Sequence, residues 1–169
     1  MPWAKPKGPR IEVSPAEDVN DISLAVRNLG TPARFEAHVE VVDGRKFSSL
    51  RLPRTYVAAW RNSHGRAARI LEGQSDEIRV ASVLTRHGGL LQLRLFCHSS
   101  GKTTYVDSSS WLPDSGSEKP VYILRVTMSA KPPLLGGPSV RTYRLTSGGL
   151  EDLTARARGE PPSTQAGSN

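Results

Sequence analysis

Hydrophobic and polar residues alternate most regularly over residues 21–42. Ile22, Leu24 and Val26 fall on one face of an extended chain, and Ser23, Ala25 and Arg27 fall on the other. Asn28-Leu29-Gly30-Thr31-Pro32 interrupts the pattern, after which Phe35, Ala37, Val39 and Val41 alternate with Arg34, Glu36, His38 and Glu40. Two period-2 runs split by an Asn/Gly/Pro cluster predict two strands of a half-buried antiparallel sheet. The polar side of the second run is mixed in sign and reads as ordinary solvated surface.

Weaker runs continue the pattern. Residues 11–13 suggest a short first strand ended by Ser14-Pro15. Residues 77–85 form a strand in which Val83 breaks the alternation of Ile78, Val80 and Leu84 and marks a bulge. In residues 90–98, the most apolar run, Leu91, Leu93, Leu95 and Cys97 oppose Gln92, Arg94 and His98. Further strands are expected over 103–106, 121–129 and 140–145, and a short helix near 148–153. Residues 45–71 are irregular: Phe47, Leu50 and Leu52 suggest a strand stopped by Pro53, residues 56–60 fit a strand or a helical turn, and 67–71 fit another short strand. The expected organisation is a disordered arm over 1–10, one domain over 11–153 and a disordered tail over 154–169.

Composition agrees with strands. A hydrophobic share of 37%, an aromatic share of 6%, 15 Gly and 13 Pro suit a loop-rich β domain better than a helical bundle. The net charge of +7 allows an anionic partner. The excess is spread along the chain except over 44–71, where Arg45, Lys46, Arg51, Arg54, Arg61, Arg66 and Arg69 occur with His64 and no acid at all. Phe47, Tyr56 and Trp60 are interleaved with them. Arginines contact phosphates and aromatic rings stack on bases, so this stretch is a candidate polyanion or nucleic-acid site. The competing reading is an Arg-rich sheet edge that guards against edge-to-edge pairing. Trp111, in a Ser-rich polar loop, is a further binding candidate.

Other motifs dissolve on inspection. Ser100-Gly101-Lys102-Thr103 ends like a phosphate-binding loop, but Phe96 stands where that loop needs its first glycine, and strands flank it. Cys97 is the single cysteine, so no internal disulfide forms. His38, His64, His87 and His98 lack metal-ligand spacing, no nucleophile elbow occurs, and the adjacent carboxylates diverge as strand neighbours do. The expectations are no catalytic residues, no metal and no cofactor. With no apolar secretory stretch at the N-terminus and no apolar run of membrane-spanning length, the default location is the cytoplasm.

The order strand, Asn28-Leu29-Gly30, strand, followed by Glu72-Gly73-Gln74-Ser75 leading into the strand at Ile78 and then Gly88-Gly89 before the apolar strand, resembles the immunoglobulin-like modules of the CARDB kind. The resemblance covers roughly residues 11–129 and rests on turn chemistry. Glu72 stands where such modules often carry Pro, and residues 44–71 and 140–145 are additions. It implies an all-β antiparallel immunoglobulin-like sandwich of about 7–9 strands. Such modules are typically non-catalytic adaptors. The expected function is therefore a macromolecular interaction module with a protein partner, and the alternative is a polyanion binder acting through 45–69.

Overall fold

The two alternating runs become β2 (Asp21–Asn28) and β3 (Ala33–Arg45), yet they do not pair with each other. The polar turn between them carries the chain from one sheet to the other. The computed structural model describes residues 6–18, 21–45, 54–63, 65–113 and 119–157. Within these the chain forms two antiparallel sheets packed face to face, an all-β sandwich.

The first sheet orders β1 (Ile11–Asp18), β2, β7 (Ser75–Arg86), β8 (Leu90–Ser99) and β10 (Leu112–Pro113). β5 (Ala59–Trp60) adds to β7, and β9 (Lys102–Ser108) adds to β8. The second sheet orders β13 (Gly149–Asp152), β12 (Ser139–Thr146), β11 (Val121–Lys131), β3 and β4 (Arg54–Val57), with β6 (Ala67–Ile70) also on β3. A single turn, α1 (Thr154–Ala157), follows.

The core is the alternation made solid. Leu24 and Val26 of β2, Ile78 of β7 and Leu93 and Leu95 of β8 meet Phe35, Val39 and Val41 of β3, Leu124 of β11 and Tyr143 of β12 in one buried cluster. Burying each large apolar side chain contributes about 1.5–3 kcal/mol.

The described residues form thirteen strands, and the short additional ones have a physical cause. Residues 54–70 weave between the sheets: β4 pairs with β3 in the second sheet, β5 with β7 in the first, and β6 returns to β3. Ala58, Ala59 and Trp60 are buried at the crossing. Residues 149–152, expected near a short helix, form a strand held to β12 by Arg144–Glu151 and Arg141–Asp152 ion pairs. β1 runs through Pro15 because it is an edge strand, where one face of the ladder needs no donor. The bulge in β7 falls at Val80, which is skipped between the Ile22–Ala81 and Ser23–Arg79 pairs, and not at Val83. Residues 6–10, part of the expected arm, lie along the sandwich: Leu29 N–H donates to Arg10 O at 2.7 Å, Thr31 N–H to Gly8 O at 3.1 Å, and Leu135 N–H to Pro9 O at 3.0 Å.

Candidate functional site: a cationic row across the second sheet

Register places β6, β3 and β11 side by side, and their outward residues form rows. Ala33, Phe35, Ala37, Val39 and Val41 of β3 point into the core, so Arg34, Glu36, His38 and Glu40 point out. Arg34 stands opposite Arg69 of β6 on one side and opposite Lys131 of β11 on the other. Neighbouring strands lie about 4.8 Å apart, so three cations span about 10 Å in one line. All three are exposed, and among the described residues none has a hydrogen-bonding or ion-pair partner.

The next rows are neutralised. Glu36 receives Arg66 Nη2 at 3.2 Å and lies 3.2 Å from His38 Nε2. Glu40 pairs with Arg125 across the β3–β11 ladder at 3.2 Å. The unpaired row is therefore a local feature of one end of the sheet. A shallow pocket of about 290 Å³ opens there, lined by Arg34, Glu36, Ala67, Ser129, Ala130 and Lys131. Like charges directly opposite destabilise a sheet by up to about 1 kcal/mol per pair. Guarding an edge accounts for a charge on β6, but not for Arg34, which is on a central strand.

The stretch 45–69 does not gather as one surface among the described residues. Arg54 and Tyr56 share the inward side of β4, opposite Val41 and Val39, with Arg54 exposed at the edge. The Tyr56 hydroxyl is buried without a hydrogen-bond partner, and burial pushes its pKa well up. Trp60 is buried in the core. Arg61 is on the first sheet, its Nε 2.6 Å from Glu77 Oε2. Arg66 and Arg69 are on the second sheet, where Arg69 joins the cationic row. Arg45 ends β3 opposite Val121. Lys46, Arg51 and His64 lie outside the described residues.

Trp111 is half-buried, with the Arg86 guanidinium 4.6 Å from its ring centroid. The Ser-rich loop before it is knitted to β8: Ser109 N–H donates to Leu93 O at 2.8 Å and Leu93 N–H to Ser109 Oγ at 2.9 Å. Ser100 and Gly101, with φ of 51° and 78°, are the two-residue turn joining β8 to β9, the hairpin expected there. Cys97 is buried and free, and burial raises its thiol pKa. Among the described residues no group of His, Cys, Asp or Glu is placed to hold a metal ion, and no helix is long and apolar enough to cross a membrane.

Arg34 and Lys131 were not among the sequence candidates. Each is an unremarkable surface cation in its own segment; only the register of β3 with β6 and β11 joins them to Arg69. Comparison with protein-family models, with curated proteins and with solved structures finds no match.

Proposed function

We propose that the chain is a non-catalytic interaction module that recognises an acidic segment of a partner protein through the outer face of its second sheet. The observation that carries this reading is the row Arg69–Arg34–Lys131, three cations at one register position with no ion-pair partner among the described residues. An extended carboxylate-bearing peptide laid across the row would relieve its self-repulsion and supply the missing acceptors. Nucleic acid is the second reading, and the same face supports it less. Single-strand binders place aromatic rings among their cations, whereas the described outward residues of β3, β4, β6 and β11 include no Phe, Tyr or Trp, and the one imidazole, His38, is engaged by Glu36.

β2 beside β7 and β3 beside β11, in opposite sheets, support an immunoglobulin-like sandwich. Asn28 at the end of β2 supports the CARDB-like turn. The β8–β9 hairpin, added to the first sheet beyond β7, is a departure from the seven-strand plan. A reducing, cytoplasmic setting suits the single buried thiol of Cys97.

The test is fluorescence anisotropy with a labelled Glu-rich peptide and a labelled single-stranded oligonucleotide of equal length, at low and at physiological salt. The peptide is expected to bind more tightly, to weaken with salt and to lose binding to the Arg34→Glu/Arg69→Glu/Lys131→Glu triple variant. Peptide affinity unchanged in that variant, or tighter binding of the oligonucleotide, overturns the reading.

A further inference from the structure

The first sheet carries a second cationic site, built from different residues and independent of the row on the opposite face. Where β8 leaves β7 to pair with β9, it opens a cleft of about 260 Å³ beside the end of β5. Trp60, Arg61, Arg79, His98, Lys102 and Thr103 are among its lining residues. His98 and Thr103 are directly opposite each other on β8 and β9, one outward step beyond the Phe96–Tyr105 pair. Phe96 and Tyr105 stack with ring centroids 4.9 Å apart, and the Arg79 guanidinium lies 4.0 Å from the Phe96 centroid. Arg79, which lines the cleft, is thereby seated on the Phe96 ring, and the β8–β9 turn borders the cleft on the other side.

Its electrostatics are set by fixed arginines. Arg79 Nη2 is 3.2 Å from Asp21 Oδ2, and Arg61 Nη2 is 3.9 Å from the same oxygen. Glu77 holds Arg61 Nε and accepts the Ser23 hydroxyl at 3.3 Å. Neither carboxylate lines the cleft. Three cations face two acids, an excess of one positive charge. Trp60 Nε1, Arg61 Nη2 and Arg79 Nε are buried and, among the described residues, have no hydrogen-bond acceptor, so they add to the positive potential of the cleft wall rather than contact a ligand directly. Lys102 and Thr103 add an ammonium and a hydroxyl at the exposed rim. Cofactor-sized pockets occupy about 300–1,000 Å³, so this one suits a small group and not a whole cofactor.

We propose that this cleft binds a tetrahedral oxyanion, a phosphoryl or sulfuryl group, with Lys102 and Thr103 closing over it from the β8–β9 turn and the two arginines supplying the field. Charge-assisted contacts from ammonium and guanidinium groups are the strong ones for such a group. The probes are inorganic phosphate, O-phosphoserine and acetate at matched ionic strength, titrated into the intact ¹⁵N-labelled protein. Phosphate or phosphoserine is expected to produce saturable shifts in the amides of Arg61, Gly101 and Lys102, with acetate at least tenfold weaker. Tighter binding of phosphoserine assigns the anion to a group on a larger ligand, and equal binding assigns it to the free ion; both support the site. Lys102→Gln and Thr103→Val, on an exposed hairpin, are each expected to weaken binding severalfold, while Arg144→Gln on the other sheet leaves it unchanged. Shifts that do not saturate, that acetate reproduces, or that Lys102→Gln leaves intact overturn the proposal. Loss of the acidic-peptide interaction with phosphate binding preserved, or the reverse, separates failure of one site from failure of the other.

Discussion

Arg34 and Lys131 face each other across the β3–β11 ladder, two cations at one register position, with Arg69 on the far side of Arg34. A sheet that keeps like charges in register gives up stability, and the cost falls on the unbound protein. Arg34→Gln is expected to stabilise the fold by about 0.5–1 kcal/mol while weakening the acidic peptide. Urea unfolding checks this as a higher midpoint with an unchanged slope. Added salt should stabilise the native chain more than the variant, since it screens a repulsion the variant lacks. An Arg34→Gln midpoint at or below that of the native chain would mean that the row is not frustrated.

Asn28 is the second pressure point, and its role is structural. It is fully buried at the end of β2. Its Nδ2 donates to Thr31 O at 2.8 Å and to Ile70 O at 2.9 Å, while its Oδ1 accepts from Gly30 N–H at 3.0 Å. Asn28→Ala strands the buried Ile70 carbonyl and leaves the part-buried Thr31 carbonyl and Gly30 N–H without their partner, and is expected to cost roughly 3 kcal/mol. Asn28→Asp keeps the acceptor for Gly30, loses both donors and buries a charge, so it is expected to be worse still. Thermal melts that rank Asn28→Asp above Asn28→Ala would sink this account.

How far the sequence could be read is clearest at particular residues. Ile22, Leu24 and Val26, and Phe35 to Val41, are core positions in the period-2 pattern and core residues in the fold, because one face of each strand is dry. Phe96 sits on the polar side of its alternating run but is 5% exposed, since Arg79 and Tyr105 cover it from neighbouring strands. β4, β5 and β6 contain four, two and four residues, too few positions to establish a period, so the weave between sheets was invisible. The cationic row was invisible for a different reason: Arg34, Arg69 and Lys131 are distant in sequence and meet only through strand register. Arg66 and Arg69 were within reach because local charge bias marks their segment; Arg34 sits among the acids Glu36 and Glu40 and carries no such mark.

Gly30 makes room for the N-terminal segment. A Cβ there would overlap Gly8 O and lie 2.8 Å from Arg10 N, backbone atoms that cannot rotate aside. Gly30→Ala is therefore expected to displace residues 8–10 from the sandwich. Hydrogen exchange should speed up at the Leu29, Thr31 and Leu135 amides, which donate to Arg10, Gly8 and Pro9, while core amides of β3 and β11 stay protected. Unchanged exchange at those three amides would show that the segment's docking does not depend on the missing side chain.

The buried tyrosines set an alkaline limit. Tyr122 donates its hydroxyl to Asp107 Oδ2 at 2.8 Å, whereas the Tyr143 hydroxyl is buried without a hydrogen-bond partner among the described residues. Burial is the main cause that raises both; the Asp107 hydrogen bond adds to it for Tyr122, and for Tyr143 the Asp152 charge adds while Arg141 opposes. Tyr143 is pushed up to about 12. A group whose pKa rises on folding stabilises fully below its unfolded value, about 10 for tyrosine, and that contribution is lost as pH climbs through the folded value. Stability should therefore fall between about pH 10 and 12, with phenolate absorbance appearing together with unfolding. Tyr143→Phe removes a hydroxyl that bonds to nothing, so it is expected to be close to neutral at pH 7 and to flatten the alkaline decline. Tyr122→Phe breaks a charge-assisted bond and is expected to cost about 1.5–3 kcal/mol. Equal effects of the two substitutions at neutral pH would refute the distinction between the bonded and the unbonded hydroxyl.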